Sequence, residues 1–396
     1  MLARREWCTH WDIISSSVFA IQGAQRRFFT MQFAKLLPAL FITLLLFSIP
    51  AVAQLTPAEP DPLARIRDAA AANVQACSAT GETLCEQVAP KIIANAQGDS
   101  PLAENLRHLR AALATKNKSV AAEQAIAWAM SAFRQAGLEP RVEKYANPDG
   151  SPGEQQNVVA EYRGREEPDE WVLVGAHLGP QQEDPNAFDN RCDAASLIEA
   201  ARDISLTAMH PKRSIRFVLF TGEELGTLAS WAYTRAHSAE LDRARAAILF
   251  HSQCRRITGY ANNERRDIEA GLHDAMKPIE SLGANLAIHG PLAGIDDFDF
   301  LLEGIPTLSA LGIQEIPIGF VAHERSATTD ELDTLRHNVA AVAVTAFGVA
   351  ERAAPIGQRL SHSEIEVLLG KWDVYAQTEA PEAWKQWKSG QRGRLP

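Results

Sequence analysis

No Cys-x-x-C pair occurs in this chain, and its five cysteines are scattered along 396 residues. That spacing argues against a zinc site built on paired thiolates. There is no Gly-rich phosphate loop and no Gly-x-Ser-x-Gly turn, which removes the nucleotide-binding and serine-hydrolase readings. Neither a repeat nor a low-complexity segment is present. Basic residues are in the minority: 39 Lys and Arg stand against 49 Asp and Glu, a net charge of −10. An acidic surface is a poor partner for nucleic acid or an anionic membrane. The longest apolar run, Leu36 to Ile49, has 14 residues, short of the roughly 20 that a membrane-spanning helix needs.

What that run does resemble is a secretory signal. Lys35 precedes it and Ala51-Val52-Ala53 follows it, giving a charged start, an apolar stretch and a small-x-small cleavage site. Met31 opens the pattern. Residues 1–30 are therefore expected to be an artefact of start-site choice, and 31–53 a signal peptide. Their removal takes away five basic and two acidic residues and leaves a net charge of −13. The protein is expected to be exported, to the periplasm or the extracellular space, with no membrane span in the mature chain. Cysteine usage agrees. Cys8 falls in the removed segment, and an even number remains, as an oxidising compartment favours. Cys77 and Cys85 bracket a short loop and are expected to pair; Cys192 with Cys254 is a second pairing.

Residues 54–104 read as a Pro-rich linker followed by an Ala-rich helical segment. From 105 to 355 short runs of β-branched and apolar residues alternate with helical patterns. Strands are expected at Arg141–Tyr145, Asn157–Tyr162, Trp171–Gly175, Ile215–Phe220, Ala246–Phe250, 284–288 and 306–311. Helices are expected at 120–136, 194–206, 225–237, 265–282, 296–303 and 330–353. This alternation predicts an α/β fold with a mostly parallel central sheet of about eight strands and helices on both faces. Residues 356–396 carry a helical pattern with a basic end, a C-terminal extension to which the sequence assigns no role.

The unusual polar residues fall where apolar strands stop. His177 follows Trp-Val-Leu-Val-Gly-Ala, Glu223 and Glu224 follow Phe-Val-Leu-Phe-Thr-Gly, and His251 follows Ala-Ile-Leu-Phe. In open α/β sheets the crevice outside the carboxyl ends of the strands is where ligands bind. Asp189 lies in a polar loop just before a helix, at the same end. Asp, Glu and His from separate strand ends can hold zinc on one side and leave the other side open. Zinc lowers the pKa of its bound water to about 7, and a neighbouring carboxylate can take the proton and pass it to the leaving amine. Two adjacent glutamates at a strand exit point in different directions, so one can bind metal while the other faces the water.

Five segments then make a specific resemblance. They are VGAH (174–177), FDNRCDAASLIEAAR (188–202), RSIRFVLFTGEELGTLAS (213–230), DDFDFLLEGIP (296–306) and FVAHERSATTDELD (320–333). Their order and spacing resemble the M28 family of zinc metallopeptidases over about residues 105–350. The resemblance implies that Asp189 bridges two zincs, that Glu224 and His323 complete one metal site, that His177 serves the other, and that Glu223 is the general base. Asp296 would support the site where the family has an Asp-His pair. The implied cofactor is Zn2+, one ion firmly bound and a second one optional. The implied activity is hydrolysis of a peptide or amino-acid amide from its free N-terminus.

Three positions depart from the family pattern. Gly179 stands where an Asp orients the first His. His251 stands where a metal-binding Asp is usual. Ala327 and Thr328 occupy the neighbourhood of an Asp that often follows the last His. One metal position is therefore intact and the other altered. Rival readings are a single-zinc enzyme resembling glutaminyl cyclases, a catalytically impaired binding protein of the same fold, and a hydrolase of non-peptide amides.

Overall fold

The computed structural model describes residues 83–179, 190–222, 227–312 and 330–396, all within one compact unit, Glu59–Pro396. Asp189, Glu223, Glu224, His323 and Cys77 lie outside the described residues. A π-helical turn, Thr83–Val88, leads into α1 (Ala89–Gln97), α2 (Leu102–Leu113) and α3 (Lys118–Gln135). Asn117 starts α3 by accepting hydrogen bonds from the Ser119 and Val120 amides at 3.1 and 3.3 Å, which satisfies two donors that a helix start leaves open.

The sheet follows. Its strands are β1 (Arg141–Ala146), β2 (Glu154–Tyr162), β3 (Glu167–His177), β4 (Arg213–Phe220), β5 (Ala244–Phe250), β6 (Gly259–Ala261), β7 (Leu286–Ile288) and β8 (Thr307–Leu311). They lie in the order β1-β2-β4-β3-β5-β8-β6-β7. The centre, β4-β3-β5-β8, is parallel throughout. Antiparallel pairings join β1 to β2, β2 to β4 and β6 to β8. The expected eight-stranded α/β sheet is thus present, with its parallel part at the middle. β6 is the strand absent from the sequence reading: three residues, Gly-Tyr-Ala, carry no periodicity to detect.

Side chains alternate across the central strands as a two-residue period requires. Val172, Val174 and Ala176 of β3 face the larger core with Ile215, Phe217 and Leu219 of β4 and Ala246, Ile248 and Phe250 of β5. Trp171 and Leu173, with Val218, Phe220, Ala247 and Leu249, face the opposite side. Helices α4 (Arg191–Leu206) and α8 (Glu331–Glu351) cover the first face; α5 (Leu228–Ala236) sends Ala229 and Tyr233 into the second. Burial on both faces explains why these strands read as continuous apolar runs. Gly175 is needed for this packing. A Cβ there would collide with Leu249 of β5 and come within 2.9 Å of the Phe220 ring.

α6 (Glu269–Met276) and α7 (Asp297–Leu302) precede and follow β7, and α9 (His362–Gly370), α10 (Asp373–Glu379) and α11 (Pro381–Lys388) form the C-terminal extension. The extension builds its own apolar core on α7, with Leu360, Leu368, Trp372, Trp384 and Trp387 packed against Phe298, Leu301 and Leu302. Backbone bonds fasten its two ends: Leu360 N–H to Gly304 at 2.8 Å and Arg394 N–H to Leu302 at 2.9 Å.

Two fully buried carboxylates on α4, Glu199 and Asp203, lie one turn apart. Arg202 reaches Glu199 at 2.8 Å and Asp203 at 3.1 Å. Burial, reinforced by the Glu199 charge, pushes Asp203 up to about 8, and burial also raises Glu199. The folded protein therefore keeps the Asp203 proton while the unfolded chain releases it above about pH 4. Stability attached to this group is complete below that pH and falls as the pH climbs toward 8. Asp203→Asn is expected to escape the fall. Its advantage over wild type in urea unfolding should be small near about pH 5 and grow to about 1–3 kcal/mol near about pH 8.5. An advantage that does not change with pH would show that Asp203 titrates normally.

Candidate metal centre

His177 is the last residue of β3, and His251 directly follows β5. In the parallel register Gly175 pairs with Leu249, so two residues later both imidazoles leave neighbouring strands at one level. On the other side of β3, His177 pairs with Phe220, the last residue of β4. Glu223 and Glu224 come three and four residues after that strand end. His177, His251 and Asp296 line one cleft together with Asn190, Asp193 and Asp297. The structure thus brings together three of the residues singled out from sequence. They sit outside the carboxyl ends of the parallel strands, as the fold predicts.

The loop after β5 is held from two directions. Gln253 and Cys254 have left-handed backbone (φ 52° and 66°), a conformation that costs free energy in residues other than glycine. Asp193, buried in the first turn of α4, offsets that cost. It accepts hydrogen bonds from the Ser252 amide at 3.3 Å and the Gln253 amide at 3.0 Å, and a short one from the Ser252 hydroxyl. The Cys192–Cys254 disulfide joins the same two elements. His251 also donates its own amide to the Ala310 carbonyl of β8 at 3.0 Å, so its backbone is fixed on both sides. Asp193 is the residue that sequence reasoning passed over. The available signal was an acidic residue in the first turn of a helix, which is common for electrostatic reasons alone.

Asp297 performs a similar task on the far wall. It is fully buried and accepts from Asn263 Nδ2 at 3.2 Å and from the Ser309 hydroxyl of β8. This fixes the start of α7, and with it the neighbouring Asp296, which is 5% exposed. Cys85 is disulfide-bonded, and its expected partner, Cys77, is outside the described residues. Cys192 and Cys254 pair as the sequence suggests.

Imidazole nitrogen and carboxylate oxygen are the donors that zinc takes alongside thiolate, so the cleft fits that ion in type. Its described donors are a partial set. Among the described residues, three donor atoms lie within 4.8 Å of one another at Cys192, Cys254 and Glu331, and there the sulfurs are committed to the disulfide. A full set in the cleft needs further ligands. No helix among the described residues is long and apolar enough to cross a membrane.

Comparison with known proteins finds a family resemblance over the central part of the chain. Residues 157–346 match the model of peptidase family M28. That stretch contains β3, β4, β5, β8, both cleft histidines and Asp296. Carboxypeptidase Q from Pongo abelii is 27% identical over 198 residues, covering 49% of this chain and 41% of that protein. The chain thus spans about two fifths of the length of the curated relatives it matches. A peptidase M28 precursor from Shewanella amazonensis shares 30% identity over 51% of this chain and 46% of that one, with a TM-score of 0.43. The LapA aminopeptidase from Legionella pneumophila shares 17% over 69% and 73%, with a TM-score of 0.49. Residues 157–346, which hold the central strands and the cleft at their ends, are thus similar to peptidase family M28.

Proposed function

We propose that the protein is an exported, zinc-dependent exopeptidase that removes residues from the free N-terminus of peptides. The observation that carries this reading is the meeting of His177, His251 and Asp296 in one cleft inside the M28-matched segment. Asp189, Glu224 and His323 would hold one zinc, with His177 and His251 beside a second. When bound, zinc supplies a Lewis acid that acidifies water and polarises a carbonyl. Glu223 would take the water proton and deliver it to the departing amine nitrogen. Asp193 and Asp297 fix the backbone that carries His251 and Asp296, so these side chains are placed before substrate arrives. Such preorganisation is what makes an electrostatic site effective.

The name of the carboxypeptidase Q relatives favours a second reading, cleavage from the other end of the peptide. Paired substrates separate the two. Unblocked leucine amide should be hydrolysed, and acetylation of its amine should abolish turnover. Cleavage of N-acetyl dipeptides with a free carboxylate, without turnover of the amide, would reverse the assignment. Formation of pyroglutamyl product from an N-terminal Gln peptide would instead establish the cyclase reading.

A further inference from the structure

The Cys192–Cys254 disulfide lies between a cation and an anion. Arg110 of α2 donates through Nη2 to Cys192 Sγ at 3.7 Å and to Cys254 Sγ at 3.9 Å. The same guanidinium forks onto Glu331 at the start of α8, with Nη2 to Oε1 at 2.6 Å and Nη1 to Oε2 at 3.0 Å. Glu331 Oε1 is also 3.9 Å from Cys192 Sγ. Water reaches this pair, whose side chains are 33% and 48% exposed. The two sulfurs differ in access. Cys192 is fully buried in the first turn of α4, whereas Cys254 is half-buried.

These differences select one direction of exchange. A thiolate attacks one sulfur of a disulfide, and the other leaves faster the better its thiolate is stabilised. A neighbouring cation supplies that stabilisation. Cys254 is the sulfur that an external thiol reaches, so Cys192 is the one that leaves, beside Arg110. We propose that Cys192–Cys254 is an exchange site for a small thiol, attacked at Cys254, with Arg110 promoting the reaction and Glu331 restraining it. In the first step the bond from the external sulfur to Cys254 Sγ forms, the Cys192–Cys254 bond breaks, and its electron pair leaves with Cys192. A second external thiolate then attacks the mixed disulfide and frees Cys254. Both cysteines take up protons as the pair is reduced, and the external thiols are oxidised to their disulfide. The consequence falls on a wall of the cleft. The loop after β5 keeps hydrogen bonds from its Gln253 amide to Asp193 and from its Ile257 amide to Asn338 Oδ1 of α8, at 3.0 and 2.8 Å. It loses its covalent tie to α4, while Gln253 and Cys254 still carry the cost of left-handed backbone.

Glutathione and dithiothreitol, added to the folded chain, test this with two opposed variants. After brief exposure to glutathione and alkylation of free thiols, peptide mapping should find glutathione on Cys254 and the alkyl group on Cys192. Glutathione on Cys192 instead would overturn the inference. Reduction by dithiothreitol should slow about 3–30-fold in Arg110→Gln and quicken several-fold in Glu331→Gln, as the charge beside the leaving thiolate changes. The disulfide of Cys85 is the internal reference and should keep its rate in both. Equal rates in all three proteins would overturn the inference. So would faster reduction in both variants, which would mean that the ion pair merely shields the sulfurs. A matching change at Cys85 would assign the effect to loosening of the whole fold and would overturn it too. In the reduced wild type, backbone amides of 252–257 should exchange hydrogen about 10-fold faster. Unchanged exchange there would show that the disulfide does not hold the loop.

Discussion

Glu223→Gln is expected to lower turnover of leucine amide by at least about 10²–10⁴-fold while leaving bound zinc nearly unchanged. The magnitude is that of lost general-base catalysis. The amide side chain is close in shape to the carboxylate but cannot accept the water proton at neutral pH. Glu224→Gln should behave differently, because it removes the charge of a proposed metal ligand. Zinc should then fall together with activity. Metal analysis of both variants beside their kinetics separates the roles. Zinc lost from Glu223→Gln and kept by Glu224→Gln would mean that the two glutamates exchange functions. β4 ends at Phe220, which pairs with His177; both glutamates lie outside the described residues.

The second large effect is expected at the altered metal position. A ligating His usually gives its other ring N–H to a partner that fixes its tautomer, and losing that partner costs about 10–100-fold in affinity. Gly179 has no side chain to serve as that partner. His251 replaces a carboxylate by a neutral ring, so one negative charge facing a dication is gone. Both changes are expected to weaken the site that His177 would serve, while Asp189, Glu224 and His323 keep the residue types that the proposal assigns to the other site. We therefore expect one zinc held through dialysis against a weak chelator. Gly179→Asp combined with His251→Asp should raise the number toward two. No gain in the double variant would show that some other feature limits the second site. Two zincs firmly held by the wild type would refute the weakening itself. Asp193, the Ala310 carbonyl and the disulfide all fix the backbone at and beside His251, so the proposed exchange of ligand need not move it.

Much of this architecture is legible in the sequence because buried parallel strands announce themselves. The runs around Trp171–Gly175, Ile215–Phe220 and Ala246–Phe250 are apolar on both faces, and polar residues at their ends mark the crevice. His177 and His251 could be grouped on that basis before any coordinates; Asp296 entered only through the family resemblance. Support residues are harder to read. Asp193 and Asp297 look like ordinary acidic residues at helix starts, and their partners Ser252 and Ser309 are 59 and 12 residues away. Long-range hydrogen bonding leaves no local periodicity to find. The C-terminal extension shows the same limit. Its helical pattern is visible, yet its contact with Thr227 spans 165 residues, and nothing in its own composition points to that contact.

A single zinc at the end of this sheet is proposed to support peptide-bond hydrolysis. The most direct measurement is leucine amide turnover by metal-stripped protein during stepwise addition of zinc. The predicted result is no turnover at the start, a linear rise, and a plateau at one zinc per chain. Turnover that is undiminished in the stripped protein, or absent at every zinc level, would contradict the claim.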